Sequence, residues 1–118
     1  MSLESPNAHE VDVSPIEAVA LIDRGAVLVD VREPDEIAQG HAQDIVAIPL
    51  SVFGDHLHDL PRDRTIVVVC RTGFRSARAA RVLVDAGYAA LNLAGGMEAW
   101  RDCGLGVVRD NGSQGIVA

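Results

Sequence analysis

Ile66-Val67-Val68-Val69-Cys70-Arg71-Thr72-Gly73-Phe74-Arg75-Ser76 decides how the rest of the chain is read. The run 66–70 is apolar at every position and mostly β-branched. A strand of this kind has no face for water and belongs inside a parallel sheet with helices on each side. Past Cys70 the pattern turns polar and contains a glycine. Over 75–86 the residues Ala79, Val82, Leu83 and Ala86 recur at i, i+3, i+4 and i+7, which predicts a helix that Gly87 stops.

Outward from this unit the same alternation repeats. Val27-Leu28-Val29-Asp30-Val31 reads as a second buried strand, and 11–13, 45–48 and 89–93 as weaker ones. Ser14-Pro15-Ile16-Glu17 is a capping box with proline at the first helical position, opening a helix expected to bury Ile16, Val19 and Ala20 and to stop at Gly25. Short helices are expected over 34–39, 51–60 and 97–103. The outcome is one compact α/β domain, a mainly parallel five-stranded sheet with helices on both faces. Its expected extent is 10–110, between a flexible N-terminus, 1–9, and a flexible C-terminal tail, 111–118.

Composition narrows the function. The 118 residues are 48% hydrophobic and 23% charged, with a net charge of −7. Residues 1–60 carry twelve acidic side chains against two arginines, whereas 62–81 carry six arginines against Asp63 alone. An acidic protein is a poor partner for nucleic acid, and an arginine-dense patch within it suits a small anion. No apolar run is long enough to cross a membrane. The stretch MSLESPNAHE has neither a basic start nor an apolar core, and two cysteines make no disulfide scaffold. A soluble, reduced, cytoplasmic protein is expected.

Ligands of open α/β sheets bind beyond the carboxyl ends of the strands, which is where Cys70 falls. A tight loop running into a helix turns its backbone N–H groups toward one point, and the helix dipole adds positive charge there. Arg71 and Arg75 add two full charges, and Gly73 permits a turn closed to larger residues. A cysteine so placed has a lowered pKa and is a nucleophile without a dedicated base. A buried cysteine that merely ends a strand is the plainer alternative, which the flanking arginines and glycine disfavour.

Over residues 12–108 the chain resembles the rhodanese family. The similarity rests on Asp30-Val31-Arg32-Glu33-Pro34 with Glu36, Gly40-His41 and Ile48-Pro49-Leu50, then on Cys70 through Ser76. Gly87-Tyr88, Leu93-Ala94-Gly95-Gly96-Met97, Trp100 and Gly104-Leu105 complete it. The resemblance implies a sulfurtransferase in which Cys70 carries sulfane sulfur as a persulfide. Thiosulfate or a similar small anion is the donor, and cyanide, a thiol or an acceptor protein takes the sulfur. Arg71, Thr72, Gly73, Phe74 and Arg75 then form the substrate-binding loop, Asp30 and Arg32 a supporting network, and neither cofactor nor metal is needed. Alternatives are a sulfur-relay or partner-binding module with little turnover and, further off, a phosphatase or arsenate reductase. The loop from Cys70 to Arg75 has six residues, one fewer than in the related dual-specificity phosphatases.

Two departures stand out. Where many relatives read Gly-His-Ile-Pro-Gly-Ala, this chain reads Gly40-His41-Ala42-Gln43-Asp44-Ile45, and Ile37 replaces a frequent aromatic. His41 is expected to fix a turn, Glu36 to be solvated or to pair with an arginine, Trp100 to anchor the core, and Cys103 to fill space. His56 and His58 lack companions at metal-ligand spacing.

Overall fold

A computed structural model describes residues 12–118. Five strands form one sheet in the order β1-β5-β4-β2-β3, every neighbouring pair parallel. They are β1 (Asp12–Val13), β2 (Val27–Asp30), β3 (Val46–Ala47), β4 (Ile66–Val69) and β5 (Ala90–Leu93). Each is connected to the next through helix, by α1 (Pro15–Asp23), α2 (Pro34–Gln39), α3 (Phe53–His56) and α4 (Phe74–Asp85), and α5 (Gly96–Asp102) follows β5. The stretch 51–60, expected as one helix, is α3 flanked by single 3-10 turns at Leu50–Val52 and Leu57–Asp59.

β4 is central and buried at all four positions, as its composition requires. Alternation along the strands divides the core in two. Val29, Val31, Ile66 and Val68 face Phe53, Leu57, Ala79, Ala80 and Leu83 of α3, α4 and the adjoining turn. Leu28, Val67, Val69 and Leu93 face Ala18, Met97 and Trp100 of α1 and α5.

Two helices are rotated from their expected faces. In α1 the buried residues are Pro15 and Ala18, while Ile16 is 61% exposed. In α4 they are Ser76, Ala79, Ala80 and Leu83, with Val82 at 45% exposure. The buried stripe of α4 therefore starts at a polar residue, which points it toward the end of β4.

Within 111–118, expected to be flexible, residues 111–114 are exposed and the packing contacts come from 115–118. Gly115 and Ile116 donate backbone hydrogen bonds to Val107 and Gln39, and Val117 joins the α1–α5 side of the core. Small residues allow this close approach, and Gly115 is buried. The N-terminal stretch 1–9 lies outside the described residues.

Candidate active site

Cys70 is the first residue past β4, and its side chain is buried at the floor of the loop that follows. The sulfur is ringed by donors. Gly73 N–H lies 3.1 Å away, Ser76 N–H 3.4 Å and Ser76 Oγ 3.2 Å. Burial pushes the thiol pKa up, but the Ser76 hydroxyl and N–H, with the Gly73 and Thr72 N–H groups, outweigh it and leave the pKa lowered.

The loop closes because Gly73 adopts φ +110°, in the left-handed region, and caps α4. Its back wall comes from far along the chain. Met97 N–H donates to the Cys70 carbonyl at 2.8 Å, and Glu98 N–H to the Arg71 carbonyl at 3.1 Å. The first N–H groups of α5, which have no partners inside their own helix, thus hold the start of the loop. Gly96 (φ +62°) touches this backbone so closely that a Cβ there would lie 2.5 Å from the Arg71 and Cys70 carbonyl oxygens.

The two loop arginines already have acidic partners. Arg75 makes a two-pronged bridge to Glu36 of α2, at 2.7 and 2.8 Å. Arg71 gives Nε–H to Glu98 at 2.9 Å, and no other described residue accepts from its guanidinium. Phe74, at the loop tip, is 80% exposed.

Asp30 and Arg32 form a fully buried ion pair of 2.8 Å after β2. Arg32 also donates to the carbonyls of Gly40 and Ala118. Among the described residues this pair bonds to the end of α2 and to the C-terminal segment, and makes no hydrogen bond to the loop itself. Val31 N–H, between them, donates to the Val69 carbonyl beside Cys70. The hydrogen-bonded link between this segment and the loop therefore runs through backbone.

His41 is a turn residue, its ring spanning the Ala42 carbonyl and Asp110. Cys103 is exposed at the end of α5 away from the loop, and Trp100 is buried with its indole N–H on the Gly106 carbonyl. Among the described residues no cluster of His, Cys, Asp or Glu is arranged to hold a metal, and no helix is long and apolar enough to cross a membrane.

Sequence reasoning left Ser76, Asn92 and Asp12 out of the site. Ser76 Oγ lies 2.6 Å from Asn92 Oδ1, and Asn92 Nδ2 donates to Asp12 Oδ1 and to the Gly73 carbonyl, at 3.1 and 3.3 Å. Asn92 breaks an otherwise apolar strand, Ala90-Leu91-Asn92-Leu93, and a buried amide needs partners. That was the available signal.

Residues 14–103 match the rhodanese-like domain. A sulfurtransferase of Allochromatium vinosum is 36% identical over 105 residues, covering 88% of this chain and 98% of that protein. The thiosulfate sulfurtransferase GlpE of Pseudomonas syringae is 38% identical over 90 residues, 75% of this chain and 85% of that protein. A rhodanese-related protein from Thermoplasma volcanium superposes with a TM-score of 0.78 at 30% identity, covering 82% of this chain and 96% of that one.

Proposed function

Because the chain belongs to the rhodanese-like family, and two of the relatives above are named sulfurtransferases, we propose that it transfers sulfane sulfur through a persulfide on Cys70. The observation that carries this reading is the ring of N–H and O–H donors around the Cys70 sulfur, which lowers the thiol pKa and so favours the anionic sulfur.

The thiolate attacks the outer sulfur of thiosulfate or a donor like it. The new S–S bond forms on Cys70 as the donor's S–S bond breaks, and its electron pair leaves on sulfite. A thiol or cyanide then attacks the terminal sulfur, and the electron pair of the Cys70 S–S bond returns to Cys70. Electrons balance over the cycle, and no redox carrier takes part.

Arg71 is the cation left to meet the donor's oxygens, since its terminal nitrogens have no protein partner among the described residues, whereas Arg75 is committed to Glu36. The exposed Phe74 favours a second acceptor class, a protein thiol delivered against the loop tip.

Intact mass after incubation with thiosulfate tests the proposal. One added sulfur is expected, removed by dithiothreitol and absent in Cys70→Ala. Sulfur on Cys103 with Cys70 unmodified overturns it.

A further inference from the structure

Ser76 is asked to do two things with one hydrogen. Its Oγ lies 3.2 Å from the Cys70 sulfur and 2.6 Å from Asn92 Oδ1, and a hydroxyl donates to one acceptor at a time. Asn92 cannot resolve the conflict by turning its amide over. Its Nδ2 is held by the Asp12 carboxylate and the Gly73 carbonyl, both acceptors only, so Oδ1 must face Ser76.

We propose that Asp12 and Asn92 are positioning residues that compete with Cys70 for the Ser76 hydroxyl proton, through a relay Asp12–Asn92–Ser76–Cys70 running across β1, β5 and β4. With Cys70 as a thiol, the Ser76 hydroxyl donates to Asn92 and is free to accept from the S–H. With Cys70 as a thiolate, the hydroxyl turns to sulfur, and Asn92 Oδ1 is left facing the Ser76 oxygen at 2.6 Å with no proton between them. The bare thiolate is thus held less favourably than its ring of donors alone would allow. Once sulfur is loaded, the charge sits on the terminal sulfur and the Ser76 proton returns to Asn92. The relay therefore tilts the site toward the loaded form. This last consequence rests on the persulfide reading; the competition for the proton does not.

The charged groups around the loop are Arg71 and Arg75, Glu98 of α5, Glu36 of α2, and the Asp30–Arg32 pair after β2. None is altered in the test, so their field on the sulfur is common to every variant.

The experiment is a double-mutant cycle read by ultraviolet titration of the Cys70 thiolate, in a Cys103→Ala background and without any sulfur donor. Ser76→Ala raises the thiol pKa. Asn92→Ala in the presence of Ser76 lowers it by about half a unit or more, since one hydrogen bond is redirected to sulfur. In the Ser76→Ala background the same change does nothing of the kind. A loosened loop would act equally in both backgrounds, so the difference between them isolates the shared proton. Asn92→Leu, which fills the volume, repeats the measurement should the alanine variant unfold. A zero or opposite coupling overturns the relay. Because the titration needs no donor, that result leaves the sulfur-transfer reading standing, and failure of the mass experiment leaves the relay standing.

Discussion

Arg75, in the first turn of α4, and Glu36, in α2, face each other fork to fork through two hydrogen bonds of 2.7 and 2.8 Å. The pair ties the active-site loop to the segment after β2, and it gives an acidic partner to one of the two arginines expected to meet the donor. Charge density alone does not distinguish a cation that waits for substrate from one already spent on the fold.

The Arg75 hydrogen bonds hold the Glu36 carboxyl at about 2, below its ordinary 4.5, against an opposing push from burial. A carboxylate depressed on folding stabilises above its unfolded value and loses that contribution as the pH falls toward the folded one. Glu36→Gln is therefore expected to cost about 1–2 kcal/mol at neutral pH, allowing for partial exposure. The gap between variant and parent closes as pH drops from 4.5 toward 2. Urea melts at several pH values check it, and a gap independent of pH refutes the assignment.

Arg71→Ala and Arg75→Ala should separate cleanly. Arg71 is half exposed with free terminal nitrogens, so its loss raises the thiosulfate KM by roughly 10-fold, about 1.4 kcal/mol, with an unchanged melting temperature. Arg75→Ala strands Glu36 and lowers the melting temperature. Steady-state kinetics beside calorimetry distinguish the two, and equal effects of both on KM alone would contradict this division.

Asp30→Ala removes one member of a fully buried pair and leaves Arg32 charged in the core. A loss of about 3–5 kcal/mol is expected. Denaturant unfolding measures it, and a loss under about 1 kcal/mol would mean the pair is hydrated.

Asp44 has φ +58°, the one described non-glycine residue in the left-handed region. It lies in the turn Gly40-His41-Ala42-Gln43-Asp44-Ile45, which departs from the pattern of many relatives. Aspartate tolerates this conformation and a β-branched residue does not. Asp44→Val should cost about 1–2 kcal/mol, and Asp44→Gly should change stability by less than about 0.5 kcal/mol. Thermal melts decide.

The alternation of strands and helices, the parallel sheet and the place of Cys70 were legible because each follows from local patterning around β4 and β2. The rotation of α4 was not. Ser76 belongs to its buried stripe, but hydropathy counts serine as surface, and its reason to be inside is the Cys70 sulfur. Asn92 and Asp12 were overlooked for a similar reason: they reach the site only once β1 and β5 lie side by side. Packing at the end of 111–118 escaped notice because small polar residues carry no periodic signal, and its anchors, Gln39, Val107 and Arg32, are distant in sequence.

The bond from Met97 to the Cys70 carbonyl joins two segments that α4 and β5 separate along the chain. Loop closure over that distance costs entropy before it returns any contact. The loop around Cys70 takes the donors to its sulfur from its own residues and the start of α4, whereas its back wall comes from the start of α5, beyond β5. A molecule in which α5 has lifted away would therefore keep the donors to the Cys70 sulfur and lose the back wall alone. The groups that meet the sulfur and the groups that brace the loop behind it thus belong to different parts of the chain, and a change in α5 can disturb the second without touching the first.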